Sequence, residues 1–80
     1  MTVEARHADD VTQAPIVVHR PSPTGGRRVT VRGRIIGLAH SDHDLVVFLA
    51  DAGLLDPDLL LDDPRWVEWR GGRAHKWGAA

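Results

Sequence analysis

One segment near the middle of the chain carries start and stop signals for a single α-helix. Ser41 precedes an acidic first turn in which Asp44 stands three residues later, a pattern close to a capping box. Apolar residues then follow the i, i+3, i+4, i+7 spacing of one buried helix face. They are Leu45, Phe48, Leu49 and Ala52. Gly53 supplies a left-handed stop of the Schellman type. The sequence therefore predicts one main helix from Asp42 to Ala52.

β-Branched residues mark two strand segments ahead of this helix. Residues 15–20 end at the turn-forming run Pro-Ser-Pro-Thr-Gly-Gly. In residues 28–39, valines alternate with arginine and threonine, which is typical of a half-buried strand, and Gly33 or Gly37 marks a bend or bulge. We predict that the two segments form an antiparallel hairpin. A short helix from Pro57 to about Leu61 follows the main helix.

The last segment has the pattern of a tryptophan-rich β-hairpin. The runs Trp-Val-Glu-Trp-Arg and Arg-Ala-His-Lys-Trp flank Gly71-Gly72, a dipeptide suited to a primed two-residue turn. In this register Trp66 faces Trp77, and aromatic cross-strand pairs stabilise a sheet by up to about 1 kcal/mol. One face of the hairpin then carries the residues that we predict as a binding surface. They are Trp66, Arg70, Arg73, His75 and Trp77.

The length of the chain and its lack of cysteine limit its architecture. Eighty residues are too few for two domains, and neither disulfides nor a cysteine-ligated zinc site can form. We predict a small single α+β domain over residues 14–80, in ββαββ order. An antiparallel sheet has the main helix packed on one face, and the tryptophan-rich hairpin forms its C-terminal part. Residues 1–13 show no sustained periodicity and are predicted to form a mobile N-terminal tail.

Charge is distributed in three blocks although the formal net charge is only −1. Residues 1–40 carry +3, residues 41–63 carry −7 and residues 64–80 carry +3. Two arrangements fit this asymmetry: acidic helices that neutralise neighbouring basic strands, or a basic face that receives an anionic partner. Aspartates at helix starts account for much of the acidic block.

The predicted tryptophan and arginine face favours binding over catalysis. Indole and guanidinium groups are enriched at protein interaction hot spots, and they also stack on bases and pair with phosphates in single-stranded nucleic acid. The pI near 6.5 lies below the values typical of nucleic-acid modules. We predict a small non-catalytic protein-interaction module whose partner is another protein or a second copy in a homodimer. Single-stranded nucleic acid is the alternative ligand, and a purely structural role for the tryptophan pair is a further interpretation.

A compact group of imidazoles and carboxylates offers a metal hypothesis. His40, Asp42 and His43 lie within four residues, and such side chains bind zinc and similar ions. Their spacing differs from the i, i+4 histidine pair of helical zinc sites. The two serines, the single lysine and the glycine-rich segment match no catalytic or phosphate-binding pattern. We expect no cofactor and no catalysis, and a small metal-dependent enzyme centred on these three residues ranks third among the hypotheses.

Three features bear on where such a chain acts. The longest apolar run, Leu45 to Ala50, is six residues, far short of the ~20 that cross a bilayer. The first ten residues contain acidic groups where an export signal has a basic start. Arginine outnumbers lysine nine to one, a usage found in proteins from GC-rich bacterial genomes. We therefore expect a bacterial, cytoplasmic protein without a membrane partner.

Overall fold

The β-branched segments before the helix form three strands of a four-stranded sheet. In the computed structural model, which describes residues 14–78, β1 spans Ile16–Pro21, β2 spans Arg27–Val31 and β3 spans Arg34–Ala39. β2 pairs with both neighbours in the antiparallel sense, so β1 and β2 form a hairpin as the sequence predicts. The predicted N-terminal tail lies outside the described residues.

Two glycines divide and bend the predicted second segment. Arg32 and Gly33 have φ values of 52° and 83°, the left-handed geometry of a primed two-residue turn between β2 and β3. The pairing between β2 and β3 then shifts by one residue beside Gly37, which places a bulge on β3. A Cβ atom on Gly37 would lie 2.7 Å from the Phe48 ring, so any side chain there would displace that ring. One predicted strand is therefore two strands with a bulge in the second.

The helix forms where the sequence predicts it. α1 spans Asp42–Asp51, and the Ser41 side chain accepts a hydrogen bond from the Asp44 N–H at 3.1 Å. Gly53 has a φ of 92°, and its N–H and that of the next residue donate to carbonyls of the last helical turn as in a Schellman motif. Within residues 14–78, no helix combines the length and the apolar character needed to cross a membrane.

The core lies between α1 and one face of the sheet. β4, Val67–Trp69, completes the strand order β3-β2-β1-β4, and a single 3-10 turn at Pro57–Leu59 replaces the predicted short helix. The buried cluster draws on the helix and all four strands. Its members are Ile16, Val18, Val29, Ala39, Leu45, Leu49, Leu61 and Val67. Ala52, predicted to belong to the buried stripe, is exposed because α1 ends before it.

The chain around β4 departs from the predicted hairpin. β4 pairs in parallel with β1, so the described sheet is mixed rather than antiparallel, and three strands precede the helix instead of two. The Arg70 N–H extends this pairing by donating to the Val18 carbonyl at 2.8 Å, and no strand follows within residues 70–78. Trp66 lies before β4 and does not face Trp77 across a turn. The Gly-Gly hairpin prediction was wrong because a long-range parallel pairing replaces the local antiparallel one.

Candidate functional site

Arg27 organises the C-terminal segment from inside the fold. Its side chain is fully buried at the start of β2, and burial lowers the pKa of the guanidinium from its ordinary value. The guanidinium lies 5.4 Å from the ring centre of Trp69, a cation–π distance. Its nitrogens donate to main-chain carbonyls of His19 at 2.7 Å, Arg70 at 2.7 Å, Arg73 at 2.8 Å, Lys76 at 2.9 Å and Val18 at 3.5 Å. The backbone of residues 70–76 therefore supplies the carbonyl acceptors that a buried guanidinium requires.

His75 ties the same segment to the helix and to the loop before β4. Its Nδ1 donates to Asp42 Oδ2 at 2.7 Å, and its Nε2 donates to Asp62 Oδ1 at 2.5 Å. These hydrogen bonds, that to Asp62 first, raise the pKa of His75 above its ordinary value. The carboxylate on each ring nitrogen favours the protonated imidazole, in which both nitrogens are donors and neither has a lone pair for a metal.

Two of the three tryptophans hold this segment through their indole N–H groups. Trp77 donates to Asp42 Oδ1 at 2.8 Å, and Trp69 donates to the Leu61 carbonyl at 3.0 Å. The Trp69 and Trp77 rings meet edge to face with centroids 5.4 Å apart. An aromatic pair therefore forms between Trp69 and Trp77, whereas the predicted hairpin would have paired Trp66 with Trp77.

The five predicted binding residues occupy different parts of the molecule. Trp66 is half-buried against the core, whereas His75 and Trp77 bind the first turn of α1. Arg73 is exposed in the segment after β4. Arg70 reaches the face of the sheet opposite the helix. The structure thus joins His75 to Trp77 through a shared carboxylate and does not bring all five together.

The three candidate metal ligands are also separated. The His40 ring lies against Gly26, His43 is exposed on α1, and Asp42 faces the C-terminal segment. Within the part of the chain that the structure describes, no three histidine or acidic side chains are grouped in a way that could hold a metal ion.

The face of the sheet opposite α1 is a second candidate surface. No helix of residues 14–78 packs on it, and the cross-strand register identifies the side chains that point there. Successive side chains of a strand point to opposite sides of the sheet, and residues paired across two strands point to the same side. The pairing therefore identifies the residues on this face. They are Val17, His19, Arg28, Thr30, Ile35, Leu38 and Glu68, with Arg70 beside them. We call this set the open face.

The open face combines exposed apolar groups with arginines. Ile35 is 61% exposed and Leu38 is 48% exposed, although both are large hydrophobic residues. Two exposed arginines accompany them, Arg28 on β2 and Arg32 in the turn after it. Arg34 is exposed too, but it pairs with Val31 and lies on the helix side of the sheet. Exposed apolar side chains with arginines beside them are suited to bind a partner segment that contains both apolar and acidic residues.

A groove of about 580 Å³ opens at one end of this face. Its floor includes Val17, and its polar lining includes His19, Arg32 and Arg70. The Arg70 Nε donates to Glu68 Oε2 at 2.7 Å, which fixes the direction of that guanidinium. The groove offers anion-binding groups beside apolar surface.

His19 in the groove is held neutral by its surroundings. Its Nε2 lies 3.0 Å from Thr30 Oγ1. Burial, and then the positive charges of Arg70 and Arg28, lower the pKa of His19 below its ordinary value. The ring is therefore neutral at pH 7 and presents a polar group without adding to the charge of the face.

The opposite shifts of the two histidines predict a stability maximum near their ordinary pKa of 6.5. The contribution of His75 is complete below pH 6.5 and is lost as pH rises through its raised folded pKa. The contribution of His19 is complete above pH 6.5 and is lost as pH falls through its lowered folded pKa. Urea unfolding from about pH 5 to pH 9 measures both limbs.

Single substitutions separate the two limbs of this profile. His75→Gln should flatten the decline above pH 6.5 and leave the acid side in place, and His19→Gln should do the reverse. An alkaline decline that persists unchanged in His75→Gln would contradict the assignment of that limb.

Comparison with protein-family models, with curated proteins and with solved structures finds no match to this chain. The arguments for function therefore rest on its own residues.

Sequence reasoning missed Arg27 and the open face for different reasons. Nothing local distinguishes Arg27 from the eight other arginines, because its role depends on carbonyls more than forty residues away. The alternation of residues 28–32 did place Arg28 and Thr30 on one side of a strand. The sequence analysis did not predict that the chain reverses at Gly33, and this reversal is what brings Ile35 beside Thr30.

Proposed function

We propose that this protein is a small non-catalytic interaction module that binds an acidic, apolar segment of a partner protein on its open face. The exposure of Ile35 and Leu38 beside arginines is the observation that carries this proposal. Apolar surface supplies the larger part of the free energy of association, and the arginines select an acidic partner and speed the encounter. The proposal keeps Arg70 from the predicted binding residues and moves the surface from the C-terminal segment to the sheet.

The character of the open face favours protein over single-stranded nucleic acid. Binding of single strands relies on aromatic rings on which bases stack. The open face as described has no indole or phenyl ring, and the indoles of Trp69 and Trp77 make internal hydrogen bonds.

Binding of a labelled synthetic peptide of alternating glutamate and valine tests the proposal by fluorescence anisotropy. We expect saturable binding at low salt that weakens as salt rises. Replacing Arg28 and Arg32 together with alanine should weaken binding roughly tenfold or more, because each lost charge contact contributes up to about 1 kcal/mol. Replacing Leu38 with serine should weaken it further, since that change removes apolar contact area.

The matched control replaces two exposed arginines away from the open face, Arg65 and Arg73, with alanine. This control has the same net charge as the Arg28→Ala/Arg32→Ala variant and should bind the peptide as the unmodified chain does. Equal loss of binding in both variants would refute the open face as the site. Saturable binding of a mixed single-stranded oligonucleotide, with no binding of the peptide, would replace the proposal with the nucleic-acid alternative.

A further inference from the structure

We propose that a second copy of this chain supplies the acidic, apolar segment, so that the open face of one copy binds the connection after α1 of the next. This inference rests on the proposed function and names its partner. The connecting region, residues 51–63, contains five aspartates and no basic residue, and we call it the acidic connection.

The acidic connection exposes the most accessible large apolar side chains among the described residues. Leu55 is 87% exposed and Leu59 is 72% exposed. Exposed aspartates accompany these leucines, among them Asp51, Asp56 and Asp58. Two of these, Asp56 and Asp58, are separated by one residue and lie between the two leucines in the chain. Exposed leucines with aspartates between them are suited to contact with an apolar, basic surface of a partner.

The open face and the acidic connection match in composition and are opposite in charge. Each has two exposed large apolar residues, which are accompanied by the exposed arginines Arg28 and Arg32 on the first and by exposed aspartates on the second. The remaining acidic groups of the connection are already bound, Asp62 by His75 and Asp63 by Arg65. Asp51, Asp56 and Asp58 are therefore the charges that this region presents to a partner.

The charges also determine how two copies meet. An open face against an open face would bring arginines together, and two acidic connections would bring aspartates together, so both symmetric contacts are repulsive. The bulge on β3 disrupts the regular edge that strand-to-strand pairing of two copies would need. The favourable contact is heterologous, with different surfaces from the two copies.

Charge-reversed variants, mixed in pairs, distinguish this contact from other modes of association. One variant, Arg28→Glu/Arg32→Glu, loses the basic surface and keeps the acidic connection. The other, Asp51→Arg/Asp58→Arg, loses the acidic surface and keeps the open face. Sedimentation velocity at low salt should show that the unmodified chain associates as its concentration rises, that each variant alone associates at least tenfold more weakly, and that their equimolar mixture regains association.

The variants also separate this inference from the function on which it rests. Circular dichroism first establishes that each variant is folded. A mixture that stays monomeric while the unmodified chain associates would overturn the heterologous contact. An unmodified chain that stays monomeric at every concentration, but still binds the glutamate and valine peptide, would overturn this inference and leave the proposed function standing. An unmodified chain that neither associates nor binds the peptide would refute both this inference and the proposed function.

Discussion

Replacing Arg27 with methionine is expected to lower the free energy of unfolding by about 2–4 kcal/mol, a large share of the stability of a small domain. Methionine has a similar length and keeps much of the packing, but it donates no hydrogen bond. The carbonyls of residues 70, 73 and 76 then lose their buried donor. Each carbonyl left unsatisfied costs about 1–3 kcal/mol unless the segment moves into water. The C-terminal segment should therefore detach, and its amide hydrogens should exchange faster.

Urea unfolding followed by tryptophan fluorescence measures this effect. Arg28→Met is the matched control, because Arg28 is the exposed neighbour on the same strand and its loss should change stability by less than about 0.5 kcal/mol. Arg27→Lys keeps the charge but cannot reach the same set of carbonyls, so its stability should fall between the other two. Equal stability of Arg27→Met and Arg28→Met would contradict the role of Arg27.

Gly71→Ala is expected to destabilise the fold by about 2–4 kcal/mol. Gly71 has a φ of 69°, a conformation that disfavours any side chain. A Cβ atom there would also overlap the Cβ of Arg20 and lie 3.1 Å from its Cα. Because one of these atoms belongs to the backbone of β1, the contact cannot be relieved by rotating a side chain. The segment after β4 would have to move away from β1.

Gly25→Ala separates the two causes of this effect. Gly25 also has a positive φ, of 99°, but a Cβ atom on it would meet nothing within 4 Å. Its replacement should cost about 1 kcal/mol for conformation alone. Thermal unfolding of both variants gives the difference, and equal losses would show that the close approach of Gly71 to Arg20 has no energetic consequence.

The parts of the fold that follow local rules could be predicted from the sequence. Ser41 and Gly53 bound the helix through contacts within a few residues, and such contacts are encoded locally. The first hairpin likewise depends on adjacent segments. β4 could not be predicted in the same way, because its parallel partner β1 lies about fifty residues earlier in the chain.

The dipeptide Gly71-Gly72 shows how one local signal has two uses. A Gly-Gly pair between two β-rich runs is typical of a tight hairpin turn. Here the first glycine instead allows the chain to approach Arg20 closely after it leaves the sheet. Sequence alone does not separate a turn from a close approach, since both require the absence of a side chain.

The candidate site was predictable only in part. The sequence identified Arg70 and the outward alternation of Arg28 and Thr30, but it grouped His75 and Trp77 with Arg70 on one face. Those two side chains instead bind Asp42, which the sequence suggested as a metal ligand. Residue types that suit a ligand also suit each other, and the fold determines which pairing occurs.

The open face as the binding surface is tested most directly by two-dimensional ¹⁵N–¹H correlation spectra recorded while the glutamate and valine peptide is added. The three tryptophans give three indole N–H signals that report on the C-terminal segment and its surroundings. We expect shifts at the amides of Arg28, Ile35 and Leu38, with the indole signals of Trp69 and Trp77 unmoved. Shifts confined to the indoles and to residues 70–77 would place the site on the C-terminal segment and contradict the proposal.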